Sequence, residues 1–140
     1  MTDCAYGITD FQYIAAGAVI LASGGGGSYC DAVSVLEELA ATGWKATVSV
    51  RDYDGATNCC VLALMGSPDA AVSMTLADVE NSIANTVSTF EQATSATLGC
   101  VIAVEIGAIN SIVPLLAAAK AGNAIQWVVD GDGAGLCSEG

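Results

Sequence analysis

The sequence lacks histidine and has very few basic residues, and both shortages exclude classes of function. Its 140 residues include three Lys or Arg against fifteen Asp or Glu, which gives a formal net charge of −12. Nucleic acids and anionic membrane surfaces are held by clusters of basic side chains, so neither partner is expected. A catalytic triad with an imidazole base cannot be built from this chain alone, which leaves carboxylates for general acid–base chemistry.

Charged residues of either sign are also scarce. They make up 13% of the sequence, against about 25% in typical soluble domains, while 54% of the residues are apolar and the mean hydropathy is +0.60. This composition predicts a homo-oligomer or a complex with a partner subunit, because a monomer would leave apolar surface in water. The apolar run at residues 14–22 is too short to span a bilayer and no Lys or Arg precedes it, so we expect a single cytoplasmic domain over residues 1–140.

The cysteines do not have the spacing of a zinc site. There are six of them, at Cys4, Cys30, Cys59, Cys60, Cys100 and Cys137. Structural zinc sites combine closely spaced Cys and His ligands, whereas this sequence has no C-x-x-C pair and no histidine. Three of the cysteines lie in apolar runs, where a thiol packs as a small hydrophobic group. We therefore expect buried, reduced thiols without a metal or disulfide role.

Helical and strand patterns alternate along the chain. Helices are predicted at residues 10–22 behind a Thr9/Gln12 capping box, at 29–41 behind Ser28, from Thr75 onward, and after a cap at Asn110 or Ser111. Apolar runs predict strands at residues 45–50, 59–65, 98–104 and 125–129, the second of them covered on both faces. Residues 98–129 have the length of a strand–helix–strand unit, so the chain is predicted to be an α/β layered fold with a largely parallel central sheet and flanking helices.

Three of these strands end in polar turns that contain glycine. Ligands of open α/β sheets bind at the carboxyl ends of parallel strands, so these turns are predicted to form one site. We predict Glu105, Asp130 and Asp132 as catalytic acid–base residues or as ligands of a divalent metal. The predicted substrate-binding residues of these turns are Ser67, Asn110 and Ser111. The alternative is structural: the glycines permit tight turns and the acids cap helices.

A run of four glycines at residues 24–27 separates the first two predicted helices. Its backbone N–H groups could approach a ligand closely, so Gly25, Gly26 and Gly27 are predicted to contact the substrate. Because the order is helix–glycine–helix and no Gly-Lys-Ser/Thr follows, a nucleotide-binding phosphate loop is excluded. A plain turn between helices remains the alternative.

Four motifs resemble, in order, those of the amino-terminal domain of the S-methyl-thiohydantoin desulfurase-like family, which is associated with hydantoinase and oxoprolinase enzymes. Residues 8–27 resemble the start of the family, and M-G-S-P at 65–68 resembles its M-G-x-P turn. E-I-G-A-I-N-S at 105–111 is similar to the family's E-I-G-G-x-N-S, and D-G-D-G-A-G at 130–135 is similar to its D-A-D-G-x-G-R-A. The departures are Ala108 in place of a glycine and Leu136 in place of the arginine.

The resemblance implies an α/β domain whose site acts on a small thiohydantoin-like or hydantoin-like ring, with a second domain in the longer family members. Two functions therefore stay open. The chain is either a hydrolase or desulfurase of cyclic amides, alone or with a partner subunit that supplies the second domain, or it is a non-catalytic subunit that completes a split or divergent family member. The retained acids favour the first, and Leu136 favours the second.

Overall fold

The computed structural model of the chain describes residues 3–23, 25–65, 74–120 and 123–133. These residues form five strands and four helices. In chain order they are β1 Cys4–Tyr6, α1 Ile8–Ala22, α2 Tyr29–Ala41, β2 Val48–Arg51, β3 Cys59–Leu62, α3 Leu76–Thr94, β4 Cys100–Ala103, α4 Val113–Ala119 and β5 Trp127–Asp132. None of the described helices is long and apolar enough to cross a membrane.

The strands form one sheet in the order β1-β2-β5-β4-β3. Strands β2, β5, β4 and β3 are parallel, and β1 pairs antiparallel with β2. The predicted α/β fold with a largely parallel sheet is thereby confirmed. The sequence analysis missed β1, because a strand of three residues is too short to show an alternating pattern.

Two helices begin where their capping residues predict. The Ser28 hydroxyl accepts from the Asp31 N–H at 3.1 Å at the start of α2. At the start of α3, the Thr75 hydroxyl accepts from the Asp78 N–H and the Asp78 carboxylate accepts from the Thr75 N–H at 3.1 Å. Each contact satisfies an N–H group that has no partner within the helix, which is why the starts of these helices can be predicted from the sequence.

The start of α1 differs from the prediction. The helix begins at Ile8, and the Asp10 carboxylate accepts from the Gly7 N–H at 2.9 Å. Thr9 therefore lies inside the first turn, and the predicted Thr9/Gln12 capping box is wrong. Asp10 is the third residue of the helix and accepts from the N–H of Gly7, the residue before the helix, as Gln12 was expected to do for Thr9. Its negative charge is also stabilised by the positive end of the helix dipole.

The helices belong to one core cluster on one face of the sheet, together with alternate strand residues such as Val48, Leu62, Val101 and Val128. The other face carries a second, smaller apolar cluster of Cys100, Trp127 and Val129, against which Cys59 and Ile102 pack. Side chains of a strand alternate between the faces, which accounts for this division.

The prediction that the strand at residues 59–65 is covered on both faces is wrong. Strand β3 lies at the edge of the sheet, and the Val61 side chain is 51% exposed. Its unbroken apolar run resembles that of a central strand, because the hydrophobic pattern reports composition and not the position of a strand within the sheet.

Residues 52–58 connect β2 to β3 past the two strands between them. The chain runs from β3 through α3, β4 and α4 to β5 in one direction along the sheet, and the β2–β3 connection returns in the opposite direction. Because parallel crossovers are right-handed, this connection belongs on the face away from the helices. There, the Asn58 carbonyl accepts from the N–H groups of Gly99 and Cys100, and the Tyr53 hydroxyl donates to the Thr57 carbonyl.

The five described cysteines are free thiols, but the expectation of burial holds only for Cys100, since Cys4, Cys59 and Cys60 are half-buried and Cys30 is exposed. Cys100 is fully buried on the face away from the helices. Burial is the main cause that raises the pKa of its thiol to about 12, and the neighbouring Cys59 adds to it. A thiol with this pKa is protonated at neutral pH and is a poor nucleophile.

We predict that Asp54 stabilises the β2–β3 connection at residues 52–58 near neutral pH and ceases to do so at acidic pH. Its pKa is lowered to about 2 by hydrogen bonds from the Thr57 hydroxyl, the Thr57 N–H and the Ala56 N–H. Because this folded-state pKa lies below the ordinary value of 3.8, the stabilisation is complete above about pH 4 and is lost as the pH falls towards 2.

The measurement is thermal unfolding of Asp54→Ala and of the parent chain from neutral to acidic pH. The gap between the two melting temperatures should shrink as the pH falls. Asp52→Ala removes the same charge from the same loop and serves as the control. A gap that stays constant down to about pH 2 would contradict the assignment.

Candidate functional site

The carboxyl ends of β4 and β5 bring the predicted acids to one edge of the sheet. Val101 pairs with Val128 but Ala103 pairs with Asp132, so β5 contains a bulge between these pairs. The Gly133 N–H closes the pairing by donating to the Ala103 carbonyl at 2.8 Å. Asp130 lies within the bulge, and Glu105 lies two residues after Ala103 in the adjoining bend. Bulges next to active sites re-aim side chains, and this one changes the alternation just where the acids lie.

The amide of Asn110 connects two of the strand ends. Its side chain is 5% exposed and is the one buried polar side chain among the described residues. The Asn110 amide oxygen accepts from the Leu64 N–H at 3.0 Å, and the amide nitrogen donates to a Glu105 carboxylate oxygen at 3.3 Å. A side chain with one donor group and one acceptor group can satisfy both contacts at once, which a carboxylate could not do.

Neither Asn110 nor Ser111 caps α4, so that prediction is wrong. The residue before the helix is Ile112, which makes no side-chain cap, and Pro114 occupies the first turn. The Ser111 hydroxyl instead accepts from the Gly107 N–H at 3.2 Å, while the Ser111 N–H donates to the Gly107 carbonyl at 2.8 Å. The two residues thus close the turn at 107–111, and proline lowers the need for a cap because it has no N–H.

The glycine loop docks directly on this turn. The Gly26 carbonyl accepts from the N–H groups of Ile109 and Asn110 at 3.0 and 3.1 Å. A Cβ atom at Gly26 would lie 2.6 Å from the Gly107 Cα, and one at Gly27 would lie 2.6 Å from the Ile109 Cβ. Both loop glycines also have a positive φ, +68° and +95°. Gly26 is therefore required for a backbone-to-backbone contact and Gly27 for a close contact with the Ile109 side chain, while substrate contact by Gly25, Gly26 and Gly27 stays a prediction.

The acids at this edge face solvent to different degrees. The Glu105 and Asp130 side chains are exposed, and Asp132 is half-buried. Glu105 therefore does not carry the burial cost that its position after an apolar run suggested. Its carboxylate accepts a hydrogen bond from the Asn110 amide at 3.3 Å, which anchors one of its two oxygens.

Tyr6 of β1, whose backbone pairs with Val48 at the start of β2, is a residue under the electrostatic influence of Asp130 that the sequence analysis missed. Its side chain is half-buried, and its pKa is raised mainly by burial, with further contributions from Cys4, Asp130 and Asp10. The phenol therefore lies within electrostatic reach of Asp130 and stays protonated at neutral pH, as a potential hydrogen-bond donor. No sequence signal could have found it, because its strand was itself too short to predict.

Two predicted features lack support from this geometry. Ser67 lies outside the described residues. Throughout the described ranges, no group of three or more His, Cys, Asp or Glu side chains is arranged to hold a metal ion. Glu105, Asp130 and Asp132 thus do not supply a complete set of metal ligands among the described residues.

Comparison with known proteins finds a family model and similar solved structures. A family model described as the S-Me-THD-like N-terminal domain matches residues 9–136. The X-ray crystal structure of a protein from Chromobacterium violaceum is similar at a TM-score of 0.70 and 28% sequence identity, over 94% of this chain. The chain spans 35% of the length of that protein. No curated protein matches it.

We predict that Gly26→Ala is strongly destabilising because the new methyl group meets the backbone of Gly107. The matched control is Gly43→Ala, whose φ of +79° is also positive but which has no heavy atom within 4 Å of the added Cβ. The control carries only backbone strain of about 1–2 kcal/mol, and Gly26→Ala should lose at least about 1 kcal/mol more. Urea unfolding measures both, and equal losses would contradict the close contact.

We also predict that Asn110→Ala lowers the free energy of unfolding by about 1–3 kcal/mol, since the Leu64 N–H loses its partner in a half-buried place. Asn58→Ala is the control, because the Asn58 amide donates to the Thr97 carbonyl at 3.0 Å from an exposed position. Water can replace that bond, so its loss should cost less than about 1 kcal/mol. Urea unfolding measures the free energy of unfolding of both variants. A larger decrease for Asn58→Ala than for Asn110→Ala would show that Asn110 does not hold the edge together.

Proposed function

Because the chain belongs to the S-Me-THD-like family as its N-terminal domain, we propose that it is an enzyme or enzyme subunit acting on thiohydantoin-like or hydantoin-like cyclic amides. The reaction is hydrolysis or desulfurisation at the carboxyl edge of the sheet. One observation carries this proposal: Glu105 is exposed to solvent yet hydrogen-bonded to the buried Asn110 amide. It lies just after β4, which pairs with β5, the strand that contains Asp130 and Asp132. Oriented carboxylates of this kind are what acid–base chemistry on a ring amide needs.

In the proposed reaction, Glu105 acts as the general base. Its carboxylate takes a proton from water while the water oxygen bonds to the ring carbon that carries the sulfur substituent. The carbon–sulfur bond then breaks, and the sulfur leaves as a thiol with the proton that Glu105 took from the water, passed on through the carboxylate of Asp130 or Asp132, so that every carboxylate ends in its starting form. The products are the thiol and the ring in which oxygen replaces the sulfur substituent. One water is consumed, and no oxidant or reductant is needed. Asn110 serves by anchoring one oxygen of the base.

The charge of the chain restricts the substrate. With fifteen acids against three basic residues, the edge attracts cations and repels anions. A neutral ring with amide N–H donors suits such an edge, because its N–H groups can donate to carboxylates. A substrate with a free carboxylate or phosphate would need a cationic residue from a second domain or subunit.

The second candidate is a non-catalytic subunit that completes a partner. The chain spans 35% of the length of the similar Chromobacterium violaceum protein, so its match covers one part of that protein. The family motif also carries an arginine at the position that Leu136 occupies in this sequence. In this alternative, the edge around Glu105 contacts a partner protein instead of a ring.

We predict that Glu105→Gln and Asp130→Asn each reduce turnover by at least about 100-fold, the lower limit for the loss of a general acid or base. Both side chains are exposed, so stability should change by less than about 1 kcal/mol. Release of thiol from an S-methyl-thiohydantoin is followed with the chain alone and together with any partner subunit that supplies a second domain. Ring binding is followed in parallel by ligand-observed NMR.

Glu37→Gln, an exposed acid on α2, is the control and should change neither property. Full turnover in both site variants would show that the acids are structural. Unfolding of both variants would lead to the same conclusion. No ring binding and no turnover in the parent chain, with and without the partner, would favour the non-catalytic subunit.

A further inference from the structure

Two cysteines stand side by side on the face of the sheet away from the helices. Cys59 begins β3 and Cys100 begins β4, and the two are register partners in this parallel pair of strands. Their side chains share a face, because Cys59 packs against the apolar cluster to which Cys100 belongs. Neither takes part in a disulfide. The sheet therefore brings together two free thiols that lie far apart in the sequence.

The Cys100 thiol is directed towards β3. Its Sγ donates to the carbonyl of Asn58, the residue before Cys59, at 3.8 Å, and the same carbonyl accepts from the Cys100 N–H at 3.3 Å. Burial raises the pKa of the Cys100 thiol, and a hydrogen bond between the two thiols adds to this effect. The two thiols are thus already in contact in the reduced protein.

The spacing of neighbouring strands suits a bond between these sulfur atoms. Paired strands lie about 4.8 Å apart, and the Cα atoms of a disulfide are usually about 4.4–6.8 Å apart. Register partners such as Cys59 and Cys100 can therefore be joined while the strand pairing is kept. Cys60 cannot take the place of Cys59, since its side chain packs against the core on the helix side of the sheet.

The two thiols differ in their access to solvent. Cys59 is half-buried, whereas Cys100 is fully buried. A small oxidant in solution can therefore reach Cys59 first. The raised pKa of Cys100 works in the same direction, because thiols react with oxidants as thiolates. Redox-sensitive thiols combine one accessible sulfur that is oxidised with a neighbour that resolves it, and this pair has that arrangement.

We propose that Cys59 and Cys100 form a disulfide when the chain meets hydrogen peroxide. In the first step, the Cys59 sulfur bonds to one peroxide oxygen and the oxygen–oxygen bond breaks. The hydroxide that leaves takes the thiol proton and becomes water. In the second step, the Cys100 sulfur bonds to the Cys59 sulfur, and the sulfur–oxygen bond of the sulfenic acid breaks. The second hydroxide leaves as water with the Cys100 proton.

The balance of this reaction is complete. The two sulfur atoms are oxidised by the loss of two electrons, which the peroxide gains on its reduction to two waters. Cys100 is a weak nucleophile in its protonated form, but contact with Cys59 compensates for this because the second step is intramolecular. The proposal stands independently of the proposed action on cyclic amides.

The disulfide would join an edge strand to the interior of the sheet. Among the described strands, β3 has β4 as its one neighbour. A bond between residues that are distant in the sequence restricts the unfolded chain more than the folded one. The oxidised chain should therefore melt at a higher temperature than the reduced chain, and a dithiol should reverse the change.

Peptide mapping tests the pairing. The reduced chain is treated with hydrogen peroxide, its remaining thiols are alkylated, and the linked fragments are identified by mass spectrometry. A Cys59–Cys100 link should exceed every other pairing of the six cysteines at least about tenfold, because thiols held in contact react as if at very high concentration. A sulfinic acid at Cys59 without this link, or a random set of pairings, overturns the proposal.

Three variants assign the link to its residues. Cys59→Ser and Cys100→Ala each remove one partner and should abolish the link, and Cys59→Ser decides the test if the variant at the buried position does not fold. Cys60→Ser is the matched control, since it removes the next thiol of the same strand from the opposite face, and it should change the yield by less than about twofold. Circular dichroism confirms the fold of each variant. A link to Cys100 that survives in Cys59→Ser, or that is lost in Cys60→Ser, contradicts the assignment.

Melting temperatures test whether the bond fits the folded sheet. Peroxide should raise the melting temperature of the parent chain and of Cys60→Ser, and a dithiol should return both to the reduced value. Cys59→Ser should show no rise, which controls for oxidation at other residues. A lower melting temperature of the oxidised parent would mean that the bond forms only by disrupting the strand pairing, and the proposal would then be wrong.

Discussion

The carboxyl edge of this sheet depends on a single buried amide. Asn110 accepts from the N–H group of Leu64 and donates to Glu105, while its own N–H donates to the Gly26 carbonyl. Three segments that are far apart in the sequence therefore meet at one residue. Buried polar groups must find partners, so an arrangement that moved any one of these segments would leave the amide or the backbone unsatisfied.

This constraint explains why the acids can be both exposed and ordered. Glu105 lies on the solvent side of Asn110, and the turn behind it is closed by Ser111 and covered by the glycine loop. The close approach of Gly26 to Gly107 leaves no room for side chains between the two backbones. The support of this edge is thus the backbone beneath it, and the carboxylates of Glu105 and Asp130 project from that support into water.

Features fixed by neighbouring residues were predictable, and features fixed by distant ones were not. The caps at Ser28 and Thr75 act over three residues, and the apolar runs of β4 and β5 depend on composition, so the helices and the parallel sheet could be predicted. The roles of Asn110 and Gly26 depend on segments 46 or more residues away, which no local pattern reports. For the same reason, Asn110 resembled a helix cap in the sequence but proved to connect two strands.

Helix α1 and the carboxyl edge are separated by very little chain. Helix α1 ends at Ala22, whose carbonyl accepts from the Gly25 N–H, and the next residue, Gly26, contacts the turn that holds Asn110. A contact that orders the last turn of α1 therefore also restricts the loop that covers this edge, because the two are joined through the backbone.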